Sequence, residues 1–136
     1  MALRESLEEF LKSVRGVTCY QDRIRIYAPT CYGECIDAVN RLNEKVSKLL
    51  GGSTVYDAEG CWVNPRGETE CEPVRVIESA YRCIDPETAR GVVEAIAEYG
   101  VEAKQQALAV EQGSFYIAST SEVIEKIKEL KFKLPY

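Results

Sequence analysis

The chain has 136 residues, 46% apolar and 29% charged, which is enough for one ordinary core without a metal or disulfide to create it. Its net charge is −5 and it has no histidine. These facts argue against broad phosphate-backbone binding and remove every His-dependent triad, the usual neutral-pH general base and the commonest metal ligand.

No apolar run approaches the ~20 residues needed to span a bilayer. The N-terminal MALRESLEEFLKSV is charged and amphipathic, unlike a secretory signal, so a cytoplasmic protein is expected. Residues 3–14 predict a helix, with Leu3, Leu7, Phe10, Leu11 and Val14 on one face and Gly16 ending it. Arg23 to Ala28 alternates as a half-buried strand, with Ile24 and Ile26 inward. Glu34 to Leu50 has helical spacing, with Gly51 at its C-terminal cap.

Strands near 54–63 and 71–82 flank Asn64-Pro65-Arg66-Gly67, whose Pro and Gly suit a type I turn, so a long hairpin is predicted. Asp85-Pro86 is a cap followed by a first-turn proline, and Gly100 is read as the stop of that helix. Residues 106–118 return to strand, in two pieces around Gln112-Gly113-Ser114. Ser119-Thr120-Ser121-Glu122 reads as a capping box opening a helix over 120–131.

The order is a helix, then β-α-β-β-α-β, then a helix. This predicts an α+β, ferredoxin-like sandwich with an extra helix at each end: one domain over 1–136, with its core at 20–118. Strands one and three are expected in the centre and parallel to each other, with strand two against them and both long helices on one face. That arrangement groups Cys19, Cys61 and Cys71 at one end of the sheet and Cys31, Cys35 and Cys83 at the other.

Six cysteines are unusual for a cytoplasmic chain. Intracellular disulfides occur in hyperthermophiles, and the many Glu and Lys residues fit such a source. Cys61 can bridge to Cys71 across the hairpin, and Cys31 or Cys35 can bridge to Cys83. A redox thiol at a helix start ranks second. A metal ranks last and no metal or other cofactor is assigned, because each group offers three Cys and would need a carboxylate or a second subunit to complete a site.

Arg25 and Tyr27 face away from the helices, and Tyr56, Arg75 and Tyr81 join them in some registers. Such a face is how RNA-recognition modules stack bases. Cover by the terminal helices or by another subunit is the favoured reading, and nucleic acid is disfavoured by the acidic balance. Near the hairpin, Thr54, Asp57, Glu59, Trp62, Glu72 and Glu78 supply polar groups, most of them ordinary solvated positions.

Gly52, Thr54, Ala58, Gly60 and Trp62, then Glu72, then Gln105 or Gln106, form a G-x-T-x-x-x-A-x-G-x-W…E…Q pattern over roughly 50–117. It resembles a family of small bacterial domains without an assigned activity; the resemblance implies the fold and does not extend to the cysteines or terminal helices. The hairpin is also distantly similar, at the level of fold, to CutA and PII-type trimers, whose hairpins pack between subunits. That implies a homo-oligomer and says little about activity.

The function expected from these observations is a small cytoplasmic binding or regulatory module of unknown ligand, a small molecule being one option, self-associating through its sheet or hairpin. The ligand-site candidates are Tyr56, Trp62, Glu72, Gln105, Gln106, Arg25 and Tyr27. The first alternative is a small enzyme using hairpin carboxylates or thiols. The second is an RNA-binding module using the open sheet face.

Overall fold

The computed structural model describes residues 3–82 and 84–133. Its elements are α1 (Leu3–Ser13), β1 (Asp22–Pro29), a 3-10 turn (Cys31–Gly33), α2 (Ile36–Leu50), β2 (Thr54–Val63), β3 (Thr69–Tyr81), α3 (Pro86–Glu102), β4 (Ala107–Gln112), β5 (Ser114–Ser119) and α4 (Thr120–Lys133). The fold is α+β, with the ferredoxin-like order extended by a fifth strand. The sheet runs β2-β3-β1-β4-β5 with every neighbour antiparallel. The fifth strand arises at Gly113, whose φ of 74° turns β4 back on itself through a two-residue pairing of Gln112 with Ser114.

Local chemistry accounts for most of the boundaries. Asp85 caps α3 by accepting from the Thr88 amide at 2.7 Å, and Pro86 follows at the first turn. Gly51 closes α2 at φ 96°. In the hairpin, the Gly67 amide donates to the Asn64 carbonyl, and the Asn64 side chain accepts from the amides of Arg66 and Glu68. This is the type I turn with a left-handed glycine that keeps two long strands in register. The Glu122 amide donates to Ser119 Oγ, the forward half of the capping box.

Alternation in β1 points Ile24, Ile26 and Ala28 at the helices. They join Val39, Leu42 and Val46 of α2, Val92 and Ile96 of α3, and Ile77 of β3 in one core. Each fully buried side chain such as Ile26 or Leu42 contributes about 1.5–3 kcal/mol of transfer free energy. The helices α2 and α3 lie side by side on this one face, bridged at the surface by the Arg41–Glu102 and Lys45–Glu98 ion pairs.

Four expectations are corrected. Strands β1 and β3 are antiparallel, not parallel: Asp22 pairs with Tyr81 and Pro29 with Val74. In a split βαβ unit the crossover helix returns the chain parallel to its start, so β2 follows β1 and β3 opposes both. The cysteine grouping therefore changes. Cys31 and Cys35 lie at the Pro29 end, the same end as Cys61 and Cys71, and the Tyr32 hydroxyl reaches the Cys71 carbonyl at 3.2 Å.

Gly100 does not stop α3, which continues to Glu102. A Cβ there would stand 2.8 Å from Thr120 Cγ2 and 2.9 Å from Leu108 Cδ2, so glycine permits α3, β4 and α4 to meet. The terminal helices do not cover the open face. All described side chains of α1 are exposed, and α4 packs beside α3, where Ile124 and Ile127 meet Ala97 and Val101. Among the described residues no helix is long and apolar enough to cross a membrane.

Candidate functional site

The pleat sorts the hairpin into two faces. Thr54 stands opposite Glu78, Tyr56 opposite Val76, Ala58 opposite Val74, Gly60 opposite Glu72 and Trp62 opposite Glu70. Tyr27 is opposite Val76 on the other side of β3, and Arg25 opposite Glu78. All of these residues share the face turned away from the helices. Thr54, Ala58, Gly60, Trp62 and Glu72, spaced by two along the sequence pattern, therefore form one continuous strip. Tyr56 and Trp62 lie on it, 43% and 46% exposed.

Gly60 has a structural reason to lack a side chain. A Cβ at this position would press on Val74 Cγ1 at 3.2 Å, directly beside Glu72. The resulting notch borders Glu72, a carboxylate held above its usual range. Burial alone pushes the Glu72 carboxyl up. Just past β1, the Thr30 amide donates to the Pro73 carbonyl at 3.2 Å, extending the pairing with β3 to the residue beside Glu72. Tyr99 approaches from α3, and its hydroxyl donates to the Pro29 carbonyl at 2.7 Å. Burial chiefly, and then the Glu72 charge, pushes that phenol up.

Along the strip, Arg25 Nη1 donates to Glu111 Oε2 at 3.0 Å and Arg25 Nε to Glu78 Oε1 at 3.2 Å. The Tyr27 hydroxyl donates to Glu111 Oε1 at 2.6 Å, and that bond, with burial, pushes the Tyr27 phenol up to about 12. The same bond, ahead of the Arg25 charge, holds Glu111 down. Glu111 was not singled out by sequence reasoning. Its place opposite Arg25 in β4 is visible only once the register is known.

Arg25, Tyr27, Tyr56, Trp62 and Glu72 are thus brought to one face. Gln105 and Gln106 are not. Gln105 sits in the α3–β4 connection, where its amide Nε2 donates to the Ala103 carbonyl at 3.1 Å and lies 3.7 Å from Cys31 Sγ. Gln106 is exposed and gives its carbonyl to the Thr120 amide. Arg75 and Tyr81 are on the helix side: Arg75 pairs with Asp57 and reaches Asn40 of α2, and Tyr81 belongs to the core. Arg25, in contrast, is engaged by two carboxylates.

The cysteines form two bonded pairs among the described residues. Cys61 and Cys71 join across the hairpin, with a Cα separation of 4.1 Å. Cys31 joins Cys35, at a Cα separation of 5.2 Å, so neither reaches for Cys83, which lies outside the described residues. This pairing corrects the bridge expected to Cys83. A separate apolar cavity of about 340 Å³ lies between the sheet, α3 and α4, lined by residues such as Ile24, Val92, Leu108 and Val123. Among the described residues, Tyr81 and Tyr116 are the titratable side chains that line it.

Two solved structures share this fold. One is a phage SAM lyase in complex with S-methyl-5'-thioadenosine, at a TM-score of 0.56 and 17% identity, covering 79% of this chain and 96% of that one. The other is a phage SAM lyase in its apo state, at 0.52 and 18%, covering 72% and 88%. At such identities the likeness is one of fold. No family model matches the chain, and no curated protein does.

Proposed function

We propose that this chain is a small enzyme acting on an adenosyl sulfonium of the S-adenosylmethionine type, at the strip centred on Glu72. The observation that carries the reading is Glu72 itself: a half-buried carboxylate with a raised affinity for protons, beside a glycine notch, on the face that also bears Trp62 and Tyr56. The fold likeness to a SAM lyase supplies the substrate class.

The chemistry suits the residues present. A sulfonium already carries its leaving group: as the substrate's own carboxylate forms a bond to the carbon, the carbon–sulfur electron pair leaves on a neutral thioether. No general acid is needed to expel it, so the lack of histidine is no obstacle. What a protein must supply is position and charge. Glu72, costly to ionise while buried without a partner, gains one when a cation arrives. The exposed rings of Trp62 and Tyr56 offer the flat surfaces on which a nucleobase stacks, worth about 1–3 kcal/mol per base.

The strip is open to solvent at Tyr56 and Trp62 in the single chain, and neither terminal helix covers it. A second copy closing over the hairpin would complete a dry site, so self-association is part of the proposal. This reading displaces the regulatory module expected from sequence, since the two solved structures of like fold are of an enzyme. The RNA reading has less support, because Arg25 is engaged by Glu78 and Glu111.

The test is to incubate the chain with S-adenosylmethionine and follow thioether release by chromatography, with molar mass measured by light scattering. Release by an oligomer, lost in Glu72→Gln, is expected. No release, or release that Glu72→Gln leaves intact, overturns the assignment.

A further inference from the structure

The hairpin also carries three metal-ligating groups that the strip does not use. Cys61 and Cys71 stand directly opposite each other in the β2–β3 ladder, and Glu59 is two residues before Cys61, hence on the same face. One donor atom from each lies within 4.8 Å of the others. Glu59 Oε1 is 3.6 Å from Cys61 Sγ. Tetrahedral zinc binds sulfur at about 2.3 Å and carboxylate oxygen at about 2.0–2.2 Å, which sets two such ligands about 3.5 Å apart.

We infer that the reduced hairpin binds one divalent cation of the zinc class through Cys61, Cys71 and Glu59. Two thiolates and a carboxylate suit zinc or cadmium, and they do not suit magnesium or calcium, which take oxygen alone. The donors are exposed, which leaves the fourth position to water. Glu59 is the carboxylate that a cysteine-only reading lacked.

The backbone is already arranged. Ladder pairs continue on both sides, from Glu59–Pro73 to Val63–Thr69, and the Asn64–Glu68 turn closes the end. The Tyr32 hydroxyl donates to the Cys71 carbonyl and fixes that residue against the turn after β1. Little has to be ordered when a cation binds.

The disulfide and the cation are mutually exclusive. A dithiol delivers two electrons and two protons to the Cys61–Cys71 bond, giving two thiols, and itself becomes a disulfide. The cation then displaces both thiol protons. A disulfide oxidant reverses this by taking the two electrons and becoming a dithiol, and the cation leaves as the Cys61–Cys71 bond re-forms.

The full chain, reduced and kept free of oxygen, should be titrated with Cd²⁺, reading the ultraviolet thiolate-to-metal charge-transfer band. One high-affinity Cd²⁺ per chain is expected, with none in the disulfide-bonded protein. Cys61→Ser and Cys71→Ser should each abolish it, and the Cys31→Ser/Cys35→Ser double variant should retain it. Loss of even an outer-shell partner weakens metal sites about 10–100-fold, so Glu59→Gln should weaken this one at least about tenfold. Should Cys61→Ser not fold, Glu59→Gln and the oxidised wild type decide the matter. Absence of stoichiometric binding, equal binding by the oxidised protein, or binding indifferent to Cys61 and Glu59 overturns the inference. The inference stands apart from the enzymatic reading, and no activity enters its readout.

Discussion

The Tyr99 hydroxyl donates to the Pro29 carbonyl at 2.7 Å, across the gap between α3 and the end of β1. Tyr99 is 2% exposed, so water cannot replace the bond. It is the polar pin that holds the helix layer against the sheet where Glu72 sits. Tyr99→Phe keeps the ring and strands the carbonyl, which costs about 1–3 kcal/mol. A lower urea midpoint at unchanged slope is the expected result.

Tyr27 and Glu111 move each other's titration in opposite directions. The phenol is raised to about 12 chiefly because its proton is shared with Glu111, and Glu111 is lowered chiefly by accepting it. The sign follows. Tyr27 contributes stability that is complete below its unfolded value near 10 and is lost as pH rises towards about 12. Glu111 contributes stability above the ordinary carboxylate range and loses it as pH falls through its lowered value. In an ultraviolet titration of tyrosinate, Glu111→Gln should bring one high-titrating tyrosine back down. Tyr27→Phe should remove the same transition.

Glu72 has the opposite sign for a carboxylate. Its folded value lies above its unfolded one, so the stability it contributes is present at acid pH and is lost as pH rises through the ordinary and then the raised value. Glu72→Gln removes that cost while keeping the shape. The variant should unfold later than wild type at about pH 7, and the gap should close at about pH 3. A variant that is less stable at neutral pH would show that Glu72 has a charged partner in the folded state.

Much of this fold is legible locally. The Asp85-Pro86 cap, the Asn64–Gly67 turn, the Ile24/Ile26 alternation and the split of 106–118 at Gly113 are each decided by a few neighbouring residues, and each is where the residues place it. The failures share one cause. Strand direction, the face of Arg75 and Tyr81 and the packing role of Gly100 depend on what lies opposite, often tens of residues away. Of the site, the hairpin half was readable, since period-two spacing alone puts Thr54, Ala58, Gly60 and Trp62 together. Glu111 joins the strip from β4 and Tyr99 meets the Pro29 end of β1 from α3, and no local pattern announces either.

The central claim is that Glu72 meets the positive sulfur of an adenosyl sulfonium while the aromatic rings hold its base. Calorimetric titration of wild type and Glu72→Gln with S-adenosylmethionine and with neutral S-methyl-5'-thioadenosine tests it most directly. Both ligands should bind the wild type, and Glu72→Gln should weaken only the charged one. Trp62→Ala should weaken both by about 1–3 kcal/mol, roughly 5- to 150-fold. Failure of both ligands to saturate the wild type, or an equal loss of both in Glu72→Gln, contradicts it.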